Sequence, residues 1–157
     1  MLVYFAGPLF CEAETRFNAR LTEQIEALGY QVFLPQRDGV EKTKPPYDGM
    51  SPDQRRTAIF ELDRDQILAA DVFLFVLDGR VPDEGACVEL GIAYAQRFLR
   101  KQPKLLIGLQ TDIRAAFIQA QLNAMLSVPL DVVARNEDEL LRMLVRYKES
   151  GTVGEDL

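Results

Sequence analysis

Between Asp78 and Ala95 the chain reads DGRVPDEGACVELGIAYA, and two of its carboxylates, Asp83 and Glu89, have the spacing and setting of reactive groups. An apolar stretch, Asp71 to Leu77 (DVFLFVL), runs into a Gly/Pro turn, after which a helical pattern carries Glu89 between Val88 and Leu90. A carboxylate in apolar surroundings just past a strand's end has its charged form disfavoured, which suits nucleophilic or acid–base work. If Asp83 caps that helix, Glu89 falls in its second turn, about 9 Å further along the axis at ~1.5 Å per residue. Gly85, Ala86 and Gly91 would keep this turn open to a ligand. The chain contains no histidine, so proton transfer and nucleophilic attack fall to carboxylates, tyrosines or a cysteine.

Each candidate has a competing structural account. Asp83 in Pro-Asp-Glu-Gly is a good helix N-cap, and capping is compatible with ligand contact. Asp63 lies beside Leu62 inside a helical pattern, where Asp is a poor choice; pairing with Arg64 or a surface orientation would explain it. Tyr4, between Val3 and Phe5, reads as a core tyrosine, yet its hydroxyl could orient Glu89 if it points toward the strand ends. Cys11 and Cys87 read as small buried residues, because no histidine is present to activate either thiol. Ala6-Gly7-Pro8-Leu9 matches neither G-x-G-x-x-G nor the Walker pattern, and its proline removes a backbone donor. No dinucleotide, nucleoside triphosphate or other cofactor is therefore expected. Without histidine or a CxxC pair, no ordinary zinc site is expected either.

These residues must be held by a scaffold, and 157 residues suffice for one domain. Eighteen basic against 24 acidic side chains give a net charge of −6, which argues against a nucleic-acid surface. The N-terminus lacks a signal peptide's charged region, and no apolar run approaches the ~20 residues that span a bilayer. The chain reads as soluble and, from its two isolated thiols, cytoplasmic. Strands are expected at Leu2–Phe5, Gln31–Leu34, Asp71–Leu77, Lys104–Leu109 and Leu130–Val133. Helices are expected from Glu12 to about Leu28, at Pro52–Ala70, Glu84–Leu99, Asp112–Leu126 and Glu137–Lys148. Pro35 to Ser51 reads as a long loop of the lid or binding kind. The domain is taken as 1–149, followed by a loose tail from Ser150. This alternation implies a single doubly wound α/β domain of about five parallel strands, flavodoxin-like or Rossmann-like, with its ligand at the strands' carboxyl ends.

YFAGPLF, LPQRDG, LDRDQILAAD and DGRVPDEGACVELG, in that order, resemble the nucleoside 2-deoxyribosyltransferases from Leu2 to about Met125. The resemblance implies exchange of the base on a 2'-deoxyribonucleoside through a covalent deoxyribosyl-enzyme intermediate. Glu89 would be the nucleophile and Tyr4 would hold its carboxylate. Asp63 and Asp83 would contact the base, with Asp83 preferred as the proton shuttle. Gly7 and Gln36 would line the substrate site, Gln36 holding the base or closing the pocket. Asn123 and Met125, in LNAML, complete the implied set, Asn123 reaching the sugar 5'-hydroxyl from a neighbouring subunit. The implied partners are deoxyribonucleosides and free bases, and the implied assembly is a dimer-based homo-oligomer with shared sites. Retaining transfer of this kind needs two carboxyl groups and no histidine. Three alternatives stay open: a deoxynucleoside 5'-monophosphate N-glycosidase, a phospho-receiver domain accepting on Asp78, and a nucleoside-binding module without catalysis.

Overall fold

The computed structural model describes residues 1–112 and 122–153. Five parallel strands form one sheet in the order β2-β1-β3-β4-β5: β1 Leu2–Ala6, β2 Gln31–Phe33, β3 Val72–Val76, β4 Leu105–Leu109 and β5 Val132–Ala134. Val3, Tyr4, Phe5 and Ala6 lie opposite Val72, Phe73, Leu74 and Phe75. β3 is buried along its whole length, as a central parallel strand covered on both faces must be.

The pleat sends alternate side chains to two cores. Val3, Phe5, Leu74 and Ile107 pack with Leu21 and Ile25 of α1 (Glu12–Ala27) and with Leu140 and Leu144 of the last helix. Tyr4, Phe73, Phe75 and Leu106 pack on the other face with Ile67 of α3 (Pro52–Ala69) and with Ala86, Leu90 and Ala93 of α4 (Glu84–Arg100). The chain leaves β1 toward β2 and leaves β3 toward β4, in opposite directions. A crevice therefore opens between the carboxyl ends of β1 and β3, the usual ligand position in such sheets.

Several boundaries differ from expectation. The Pro35–Ser51 segment begins with a helical turn, α2 (Pro35–Asp38), because Pro35 suits a first helical position and Asp38 Oδ2 accepts from Leu34 N at 2.9 Å. The expected Asp112–Leu126 helix falls largely on residues 113–121, outside the described ones. Asp112, Leu122 and Asn123 are not helical, and a short α5 covers Ala124–Ser127. The closing helix α6 runs from Glu137 to Ser150 and ends at Gly151 in a left-handed conformation, φ 73°. The tail is tied as far as Val153, which packs against the first core. Cys11 is exposed rather than buried, because it stands at the N-cap of α1. No helix among the described residues is long and apolar enough to cross a membrane.

Candidate functional site

Tyr4 is fully buried in β1, its ring stacked between Phe33 and Phe73 at centroid distances of 5.6 and 5.7 Å. Only its hydroxyl has a polar direction to take, and it donates to Glu89 Oε1 at 2.8 Å. Glu89 reaches this position because Leu90 and Ala93 seat α4 on the sheet. Burial pushes the Glu89 carboxyl up to about 7; the Tyr4 hydrogen bond opposes that, while Asp63 and Asp83 add to it. Burial also raises Tyr4, and the carboxylates of Glu89 and Asp63 raise it further.

A cavity of about 310 Å³ adjoins this pair between α3 and α4, with Asp63, Ile59, Phe60 and Ile67 on one side and Gly85, Val88, Glu89 and Ile92 on the other. That is the lower end of small-molecule pockets. Asp63 lines this cavity from the middle of α3. Arg64 pairs with Asp65 at 2.8 Å, so the expected Arg64 partner does not serve Asp63. Burial lifts the Asp63 carboxyl to about 6. Two carboxyl groups with raised pKa values share one apolar cavity, which equips it for proton transfer. The openness of this turn rests on Gly85 alone. Ala86 is buried against the sheet and Gly91 faces open space.

Asp83 does cap α4: its Oδ1 accepts from Ala86 N at 2.8 Å. The loop before it is anchored by Asp78, which accepts from Thr111 N at 2.7 Å, Thr111 Oγ1 at 2.6 Å and Asp112 N at 2.8 Å. Asp78 thus ties the β3 loop to the β4 loop and is not a free phospho-acceptor. Gly79 turns the chain here with φ 132°, a conformation that side chains disfavour.

Gly7 crosses the end of β3, where an added Cβ would stand 2.9 Å from Val76 Cβ. Gln36 does not point an amide at the cavity. Its Nε2 donates to Thr15 O at 2.7 Å and its Oε1 accepts from Asn18 Nδ2 at 3.1 Å. Asn18, only 2% exposed, also donates to Pro8 O at 2.9 Å. It locks the β1 loop to the β2 loop, a role missed in the sequence although a polar residue inside the Phe17–Leu21 stripe signals it. Asn123 caps α5 through Met125 N at 2.8 Å, and both residues are exposed, Met125 at 80%. Neither lines the cavity.

A second cavity, of about 480 Å³, lies at the opposite sheet edge against Arg97, Lys104, Asp131 and Tyr147. Its cations are spent. Arg97 donates to Asp131 and to the carbonyls of Lys104 and Pro129, and Lys104 Nζ donates to Ile67 O.

The nucleoside 2-deoxyribosyltransferase profile matches residues 3–144. No curated protein matches the chain. Among solved structures, a conserved protein from Enterococcus faecalis V583 is 28% identical, covering 92% of this chain and 96% of that one with a TM-score of 0.71. The 2-deoxyribosyltransferase of Bacillus psychrosaccharolyticus is 20% identical over 90% of each chain, TM-score 0.71. The CMP N-glycosidase of Clostridium botulinum is 24% identical over 94% and 99%, TM-score 0.54. The last two likenesses establish the shared fold. The profile spans nearly the whole domain and includes both Tyr4 and Glu89; the chain belongs to the nucleoside 2-deoxyribosyltransferase family.

Proposed function

We propose that the protein exchanges the base of 2'-deoxyribonucleosides by double displacement on Glu89. The observation that carries this reading is the Tyr4–Glu89 hydrogen bond at 2.8 Å beside a cavity that Asp63 shares. A Glu89 carboxylate oxygen attacks C1' as the C1'–N bond breaks, the base leaving with the bonding pair. A carboxyl proton quenches the departing base. We assign that proton to Asp63 rather than Asp83. Burial raises the Asp63 carboxyl to about 6, so it keeps a proton well above the usual carboxylate range, whereas one Asp83 oxygen is engaged as the cap of α4. A second base then attacks C1', releases Glu89 and returns its own proton to Asp63. Tyr4 holds the carboxylate in register, and the apolar walls seat the base.

Transfer rather than hydrolysis requires the ester to outlive water attack, a task we give to the exposed segment 39–50 as a lid. We further propose a homo-oligomer in which Asn123 and Met125 serve a neighbour's site, working in cytoplasmic nucleoside salvage. The test is incubation with 2'-deoxyuridine with and without adenine, followed by chromatography. Wild type should form deoxyadenosine and Glu89→Ala should not. Uracil release that ignores adenine would reassign the protein as a hydrolase, and deoxyadenosine from Glu89→Ala would remove Glu89 as nucleophile.

A further inference from the structure

The last turn of α3 ends in carbonyls that the helix itself cannot satisfy. Gln66 O accepts from Ala70 N, but the next amide, Asp71 N, is drawn to Leu2 O in β1. Two side chains from other elements take the carbonyls that remain. Ile67 O accepts from Lys104 Nζ, just before β4, and Leu68 O accepts from Gln96 Nε2 of α4 at 2.8 Å. Both donors are buried, Lys104 at 6% exposure and Gln96 at 8%, and a cation suits a helix C-terminus. Gln96 Oε1 is buried with no partner among the described residues, a penalty that an apolar side chain would avoid.

These contacts join the two helices that carry the paired carboxyl groups. Ile67 lines the cavity, and Asp63 lies one turn before it on the same side of α3. Gln96 follows Glu89 by seven residues, two turns along the same side of α4. We propose that Gln96 and Lys104 are positioning residues, a buried clamp on the end of α3 that sets how Asp63 and Glu89 face each other across the cavity; this rests on the base-exchange reading above. Neither side chain has to touch the nucleoside, since the clamp grips α3 and α4 about 7–10 Å along their axes from the carboxyl-bearing residues. Apolar packing is non-directional and leaves α3 free to slide or rotate on α4. A hydrogen bond from one helix to an end carbonyl of the other fixes that register. The register matters because a misplacement of about 1 Å can slow a reaction roughly a hundredfold.

Gln96→Met tests the clamp, because it removes the donor and the unpartnered Oε1 together at similar volume. Lys104→Met cuts the same clamp from the β4 side and decides the matter if Gln96→Met does not fold. kcat and KM for base exchange between 2'-deoxyuridine and adenine are measured across pH, at a temperature where thermal unfolding shows the variant to be folded. Loss of the clamp should lower kcat about tenfold while KM stays within about twofold. The basic limb of the pH–rate profile should also move to lower pH, because Asp63 raises the Glu89 carboxyl and does so less from further away. A side chain that only stabilises the fold would lower Tm and leave kcat and both limbs of the folded enzyme unchanged, and that result overturns the clamp. A wild type without base exchange overturns the base-exchange reading instead, which separates the two failures.

Discussion

In the proposed reaction Glu89 and Asp63 divide the chemistry through their protonation states. That reaction calls for Glu89 ionised and Asp63 protonated, the reverse of the order in which burial leaves them, Glu89 at about 7 and Asp63 at about 6. Those two values belong to a coupled pair that holds one proton between them, so kcat/KM should be bell-shaped with its maximum between the two. Tyr4→Phe keeps the ring between Phe33 and Phe73 but deletes the hydrogen bond that lowers the Glu89 pKa. Because Glu89 has the higher of the two values, the basic limb follows it and should move to higher pH, while the acidic limb, which follows Asp63, stays. A hydrogen bond to a charged group is worth ~1.5–3 kcal/mol, so the maximum should fall about tenfold or more. The pH–rate profile checks both effects; an unmoved basic limb assigns that limb to another group. Tyr4 was legible as a core residue from its neighbours, but its hydroxyl's direction depends on how α4 crosses β1, which no local pattern encodes.

At the scale of elements, the site depends on how α4 starts and how the β1 loop turns. Asp83→Ala removes the cap on Ala86 N and should cost about 1 kcal/mol. Gly7→Ala forces a Cβ to within 2.9 Å of Val76 Cβ at the end of a buried strand, an overpacking cost of roughly 1–3 kcal/mol. Thermal unfolding of the two variants should show the larger drop in Tm for Gly7→Ala; the reverse order would mean that the loop relaxes freely. The cap was readable from Pro-Asp-Glu-Gly because N-capping is local chemistry. The Asp78 latch on Thr111 and Asp112 was not, because its partners lie more than 30 residues away and meet only when β3 and β4 pair.

At the scale of the whole molecule, apolar side chains remain uncovered. Phe60 is 54% exposed and Val88 61%, both beside the cavity, and Met125 is 80% exposed. Large exposed apolar groups beside a site favour burial against a partner, in keeping with the proposed shared sites. Glu89→Ala and Asn123→Ala should each be impaired alone, and mixing them under mild dissociation and reassociation should restore activity in the sites that combine both intact residues. No recovery would mean that each site is complete within one protomer.

Alternation of apolar strands with amphipathic helices is enough to establish the doubly wound class, because period and length are local properties. Four ordered motifs and the lack of histidine point to carboxylate chemistry on a nucleoside. Only tertiary structure decided which carboxylates meet in one cavity. Burial raised Asp63 and Glu89 inside one cavity, while Gln36 and Asp78 were drawn into loop contacts instead. The reason is distance along the chain: desolvation and hydrogen bonding at this site arise between β1, α3 and α4, and they exist only once those elements pack.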